Sequence, residues 1–211
     1  MLNTIILANG EIPVHKNAIE ILKNGDQIVC CDGAIQNLKS LGFSPNIIIG
    51  DLDSISEKDK IEYQNILFED KNEEVNDLQK AINYCISNNW YDIYILGGFG
   101  LREDHAIANL SIMLNYAKIC FEKDTPLNIQ MITNTGTFIP FFDTTIFKSY
   151  KGQAVSIFSF TKESKLTFIG LKYPVKERVF NYFWEGSLNE ALTDQFTIEC
   201  SRGEFIIFQT F

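Results

Sequence analysis

Four short stretches in the first half of the chain concentrate residues that do chemistry on charged substrates. They are CDGAIQNL (Cys31–Leu38), GDLDSI (Gly50–Ile55), NDLQKA (Asn76–Ala81) and GGFGLREDHAIAN (Gly97–Asn109). Asp51 and Asp53 follow a run of three isoleucines and a glycine, which reads as the end of a buried strand. On an extended chain, residues i and i+2 point the same way. Two carboxylates ~4 Å apart repel by ~4 kcal/mol at an effective dielectric of about 20. A divalent cation between them reverses that sign, and hard oxygen ligands suit Mg²⁺. The plainer alternative is an Asp-rich turn in which Asp53 or Ser54 caps a helix. Asp32 follows QIVCC and precedes Gly33, while Asp77 opens a helix after NEEV. Either one alone reads as a cap or a partner of the helix dipole. Four aspartates at one edge of a sheet point instead to a metal site.

The fourth stretch supplies an anion-binding turn. Gly97, Gly98 and Gly100 let backbone approach a ligand closely, and the helix N-terminus behind them favours phosphate. Arg102 offers a bidentate clamp for phosphate oxygens. Asp104 is placed as a metal ligand or a base. His105 and Asn109 stand at i and i+4 and share a helix face; taken alone, His105 reads as a hydrogen-bonded core residue. The spacing matches neither the Walker A loop nor G-x-G-x-x-G. Lys80, one helical turn after Asp77, is either a phosphate lysine or part of a solvated face.

These residues need a scaffold with many strand ends on one edge. TIILANG, QIVCCDG, NIIIG, ILFE and DIYILGG read as strands. NAIEILKNGD, AIQNLKSLG, SISEKDKIEYQNI, VNDLQKAINYCISNN and REDHAIANLSIMLNYAK read as helices, the third opened by a Ser56-x-x-Asp59 cap. Strand–helix alternation predicts a mostly parallel sheet flanked by helices. From residue 127 the pattern becomes seven short runs rich in β-branched and aromatic residues, beginning with NIQMITN. That predicts an all-β unit, a small sandwich or barrel. The expected organisation is an α/β catalytic domain over 1–126 and an all-β domain over 127–211.

The chain has 211 residues and a net charge of −9, which argues against nucleic-acid binding and anionic membranes. No apolar run is long enough to span a bilayer, and the N-terminus lacks a basic region before its apolar stretch. The five cysteines form no C-x-x-C pair. They read as free buried thiols of a cytoplasmic protein. Only two histidines are present, so a zinc site is not expected.

The four N-terminal motifs, in this order and at similar separations, resemble those of the thiamine pyrophosphokinases. GSLNEALTDQFTI (Gly186–Ile198) is similar to a Gly-x-Ser-Asn segment of that family. The resemblance covers nearly the whole chain. It implies transfer of pyrophosphate from ATP to thiamine, giving thiamine diphosphate and AMP. It also implies that Asp51, Asp53 and Asp77 hold Mg²⁺ with Asp32 and Gly33 close by. Arg102 and Asp104 would meet the phosphates, Lys80, Gly98, His105 and Asn109 would serve the nucleotide side, and Ser187 and Asn189 would lie near thiamine. A homodimer with composite active sites is implied as well. The chain departs from the family pattern at Asn76, where Thr is common, at Leu101, where Gly is frequent, and at Leu188, where Ser is usual.

Thiamine is a flat cation, which makes Tyr182, Phe183 and Trp184 candidates for stacking, although at least two of the three are expected in the core. Two rival readings are a pyrophosphokinase for another alcohol, such as a hydroxymethylpterin, and a non-catalytic nucleotide or vitamin sensor. The full set Asp51, Asp53, Asp77, Arg102 and Asp104 argues against a sensor.

Overall fold

The computed structural model describes residues 2–211, which divide into two compact units. The first comprises the chain up to Met113 together with Pro126–Asn134. Its elements are β1 (Asn3–Leu7), α1 (Lys16–Lys23), β2 (Gln27–Cys31), α2 (Ile35–Ser40), β3 (Ile47–Gly50), α3 (Glu57–Glu62), β4 (Leu67–Glu69), α4 (Asp77–Ser87), β5 (Asp92–Leu96), the start of α5 (Glu103–Glu122) and β6 (Asn128–Ile132). The strands lie in the order β6-β5-β1-β2-β3-β4, with every pair parallel. Ile5, Ile6, Val29, Cys30, Ile48, Ile93 and Ile95 are fully or nearly fully buried. Their continuous apolar runs suit strands covered on both faces.

Local chemistry sets the helix starts. Ser56 caps α3, its side chain accepting from the Asp59 N–H. Asn76 and Gln79 form a reciprocal capping box at the start of α4. The apolar residues at helical spacing on α4, Leu78, Ala81, Ile82 and Cys85, are buried.

The second unit comprises Leu114–Thr125 and Thr135–Phe211. Beyond α5 it contains β7 (Gly136–Phe141), β8 (Thr145–Lys148), β9 (Ala154–Ser159), β10 (Lys165–Ile169), β11 (Arg178–Val179), β12 (Asn189–Glu190), β13 (Gln195–Cys200) and β14 (Phe205–Thr210). One antiparallel sheet runs β12-β9-β14-β7 and the other β11-β10-β13-β8. Val155, Ile157, Phe205 and Ile207 from the first sheet and Phe147, Leu166, Phe168 and Phe196 from the second share one core. Of the two architectures expected, this is the sandwich.

The packing divides the chain differently from the boundary expected at residue 126. NIQMI pairs in parallel with β5, Asp92 opposite Asn128 and Ile95 opposite Met131, and belongs to the first unit. A β-branched run is the same in a parallel or an antiparallel sheet; only the partner strand distinguishes them. The short strands β11 and β12 were not foreseen, since two residues carry no readable alternation. Four of the five cysteines are buried and all five are free. Among the described residues, no helix is long and apolar enough to cross a membrane.

Candidate functional site

Asp32 leaves the end of β2 in a single 3-10 turn and is 2% exposed. Its Oδ1 accepts from the Gly33 N–H at 2.6 Å and its Oδ2 from the Leu52 N–H at 2.9 Å. The Leu52 bond ties the turn after β2 to the turn after β3. Asp51 and Asp53 are not brought together by an extended chain, as the sequence suggested. Leu52 sits at φ +63°, and the Asp53 N–H donates to Asp51 Oδ1 at 3.1 Å, so the segment is a tight turn. One oxygen from each of Asp32, Asp51 and Asp53 lies within 4.8 Å of the others. Gly50 makes this possible, because a Cβ there would stand 2.5 Å from the Asp32 carboxyl carbon.

Burial, then the charge of Asp77, raises the Asp32 carboxyl to about 6 against the opposing pull of its two N–H donors. Asp51 is lowered, chiefly by the Asp53 N–H. The same edge therefore holds one carboxyl that resists ionisation and one that favours it. Burial also pushes the neighbouring Cys31 thiol far up and keeps it neutral.

Asp77 stands outside the tight trio, where Asp32 takes the place the sequence reading gave it. Its Oδ1 pairs with Lys80 Nζ at 3.2 Å. Lys80 does not lie on a solvated face: its side chain is 4% exposed. A buried ammonium requires a partner, and Asp77 is that partner.

Strands β2 to β4 lie on one side of β1, and β5 and β6 on the other. The chain thus reverses its strand order at the carboxyl ends of β1 and β5, where open parallel sheets bind ligands. A cavity of about 360 Å³ opens there, with Asn9, Gly10, Asp77, Gly98, Arg102 and His105 among its lining residues. The two strand ends are stitched by Gly10 N–H to Gly97 O at 2.8 Å and Glu11 N–H to Phe99 O at 2.7 Å. A Cβ on Gly10 would come within 2.3 Å of Gly97 O. Asn109 donates from Nδ2 to Gly98 O at 2.9 Å and pins the glycine turn. Leu101 occupies the left-handed region at φ +66° without glycine's freedom, and its side chain is exposed. His105 is an exposed residue of the cavity wall rather than a core histidine.

Arg102 and Asp104 form a bidentate pair at 2.9 and 2.6 Å, both side chains exposed. The guanidinium holds the Asp104 carboxyl well below the usual carboxylate range, which makes it a poor proton acceptor in this arrangement. Sequence reasoning missed Asn9 and Gly10. Their signal was the Asn-Gly that closes TIILANG, a common turn until the sheet order puts it beside the glycine turn.

In the second unit, Ser187 Oγ donates to Trp184 O at 2.8 Å. Asn189 is buried, and its amide is spent on Tyr173 (Nδ2 to O at 2.8 Å, backbone N–H to Oδ1 at 3.0 Å). Tyr182, Phe183 and Trp184, expected mostly in the core, are all exposed; the core positions are filled by Phe180 and Phe196 instead. Leu188 lies at φ +61° with its side chain 84% exposed.

Residues 18–125 match the family model described as thiamin pyrophosphokinase, catalytic domain, and residues 136–208 match thiamin pyrophosphokinase, substrate-binding domain. The chain belongs to the thiamin pyrophosphokinase family. A Caenorhabditis elegans relative, "Thiamin pyrophosphokinase 1", is 26% identical over 213 residues, covering 93% of this chain and 84% of its own. The thiamine pyrophosphokinase structure from Bacillus subtilis superposes with a TM-score of 0.82 at 19% identity, covering 99% of this chain and 98% of that one. The yeast thiamin pyrophosphokinase gives 0.80 at 19% identity, over 100% and 87%. At this identity the two structures speak for the fold. The thiamin pyrophosphokinase catalytic match contains the acidic trio, Asp77, Lys80 and the whole glycine turn, and the substrate-binding match contains Ser187 and Asn189.

Proposed function

We propose that the chain transfers the β,γ-pyrophosphoryl group of ATP to the hydroxyethyl oxygen of thiamine, releasing AMP and thiamine diphosphate. The observation that carries this reading is the shared edge of one parallel sheet. The acidic trio at the ends of β2 and β3 and the glycine-lined cavity at the ends of β1 and β5 stand there together. Asp77 links them: it lines the cavity, and its charge raises Asp32.

Three hard carboxylate oxygens within 4.8 Å fit a small divalent cation. Asp32, Asp51 and Asp53 would hold Mg²⁺, with Asp77 adjoining. When bound, the cation would neutralise charge on the phosphate oxygens. The remaining demands of phosphoryl-type transfer are positioning and charge neutralisation by the protein. Arg102 exchanges its exposed bond to Asp104 for a phosphate. Gly97, Gly98 and Gly100 let the turn pack closely on Ala8, Met131 and Glu11, and the turn's backbone lines the cavity offered to the phosphates. Lys80 steers the Asp77 carboxylate through their ion pair. On the acceptor side, Ser187 and the exposed aromatic rings of Tyr182 and Trp184 suit a flat cation. Asn189 acts there by holding the segment against Tyr173. A cytoplasmic homodimer with composite sites completes the reading and rests on the family resemblance. The substrate-binding match favours thiamine over a pterin alcohol as acceptor.

The test is AMP release from ATP with and without thiamine. Thiamine-dependent, Mg²⁺-dependent release is expected, and Asp53→Asn is expected to lose nearly all of it while keeping a wild-type melting profile. Release driven only by a pterin alcohol, or binding of both ligands with no AMP, would replace this reading with one of its rivals.

A further inference from the structure

Where α2 meets α3 lies a second, buried acidic centre that the proposed reaction does not use. Asp59, in the first turn of α3, is 2% exposed. Its Oδ2 accepts from Gln36 Nε2 at 2.6 Å and from Ser56 Oγ at 2.5 Å, and its Oδ1 accepts from Lys39 Nζ at 2.7 Å. Its N–H donates back to Ser56 Oγ at 3.1 Å. Lys39 also reaches Glu62 at 3.0 Å. One carboxylate thus receives three side-chain donors, and these partners lower its pKa, Lys39 first.

The partners' places in the chain decide what this centre does. Gln36 and Lys39 stand on α2, which begins three residues after Asp32. Ser56 caps α3 and stands three residues after Asp53. Both helices are six residues long, too short to hold an orientation through their own hydrogen bonds. Side-chain ties at two places therefore fix the turn after β2 against the turn after β3. Near the trio it is Asp32 Oδ2 to the Leu52 N–H. Between α2 and α3 it is Asp59, with Glu62 as a second acceptor of Lys39. A buried ion pair is weak evidence for stability, and fixing a unique geometry is a role such pairs serve in some proteins.

We infer that Asp59 is a positioning residue for divalent-cation binding: it bolts α2 to α3 and thereby sets the spacing of Asp32 from Asp51 and Asp53. The inference rests on the reading of that trio as the cation site.

The experiment measures Mn²⁺ binding to the nucleotide-free protein from loss of the free-ion spin-resonance signal, alongside AMP release as Mg²⁺ is varied. Asp59→Asn is expected to weaken Mn²⁺ binding by about tenfold, the range for a residue that orients metal ligands. It is expected to raise the Mg²⁺ needed for half-maximal rate by a similar factor, to recover most of the rate at saturating Mg²⁺, and to leave the KM for thiamine unchanged. Asp59→Glu keeps the charge and the Ser-x-x-acid cap and should recover most of the Mn²⁺ affinity. If Asp59→Asn does not fold, Gln36→Leu removes one of the two α2 donors to Asp59 and leaves the Lys39 ion pair, and it should weaken Mn²⁺ binding severalfold. A lower melting temperature with wild-type Mn²⁺ affinity in these variants would make Asp59 merely structural and overturn the inference. Asp53→Asn separates the two levels. If it loses Mn²⁺ while the Asp59 and Gln36 variants do not, only the bolt fails; if it binds Mn²⁺ like the wild type, the cation reading fails and the bolt with it.

Discussion

The carboxyl of Asp32 is the residue on which the acidic edge turns. It is buried against Asp77 and raised to about 6, so the folded protein holds a proton there that the unfolded chain has already shed. The contribution of this group to stability is accordingly present below about pH 4 and is lost as pH rises through about 6. A cation reverses the trend, because it competes with that proton and binds the ionised form. The melting shift produced by millimolar Mg²⁺ should therefore be clearly larger at about pH 7.5 than at about pH 5. Below pH 6, Mg²⁺ affinity should fall by up to about tenfold per unit. Thermal melts with Mg²⁺ or a chelator at both pH values check this, and an equal shift at both would remove Asp32 from the cation site. Asp104 behaves in the opposite way, held ionised by Arg102. Two aspartates that look interchangeable in the sequence are thus separated by burial and by partner.

At the scale of elements, the site is made by what the strand ends leave out. β2 and β3 are hydrogen-bonded neighbours, with Cys31 opposite Ile49. The next residue of β3, Gly50, leaves room for the Asp32 side chain. Gly50→Ala would set a methyl 2.5 Å from Asp32 Cγ and 2.6 Å from Oδ2. Asp32 cannot move freely, because two backbone N–H groups hold it. The expected result is a folded protein destabilised by about 1–3 kcal/mol, the usual cost of overpacking. Its loss of AMP release should be far larger than its loss of stability. Urea melts and turnover on the same preparation test this; wild-type turnover would show that the trio tolerates a displaced Asp32. The cap of α4 is local, because the N-cap Asn and the Gln at the third helical position of NDLQKA act within one turn. The burial of Lys80 on the same helix was not legible. A lysine at that spacing fits a wet face equally well, and only the packing of α4 against the sheet decides.

For the whole molecule, the proposed division of labour assigns the nucleotide to the α/β unit and thiamine to the loops of the sandwich. A ligand that binds only the folded state stabilises it, by ~2.7 kcal/mol at 100 times its dissociation constant. Thiamine and an ATP analogue should each raise the melting temperature by a few degrees. Ser187→Ala with Trp184→Ala should reduce the thiamine shift and spare the nucleotide shift. Trp184 is exposed and Ser187 only half-buried, so the double variant should fold. Loss of both shifts together, or of neither, would contradict the division. Asn189 is left out of this test because its amide holds Tyr173, and its removal would unsettle the segment itself.

The sequence by itself determined whatever depends on near neighbours in the chain. Alternating apolar runs and helical stripes gave the α/β half and the all-β half, and the four motifs gave the family. The caps of α3 and α4 were set within a single helical turn. The tertiary structure decided what depends on partners far away in the chain. It moved NIQMI into the parallel sheet, because a strand's direction of pairing belongs to its neighbour. It put Asp32 rather than Asp77 in the tight trio, because the Leu52 N–H and the bare face of Gly50 receive it. It also made Asn9 and Gly10 part of the cavity, because strand order alone creates the crevice between β1 and β5. Burial, and with it the raised Asp32 carboxyl, follows from which chain segments meet in space, and spacing along the sequence carries no measure of that.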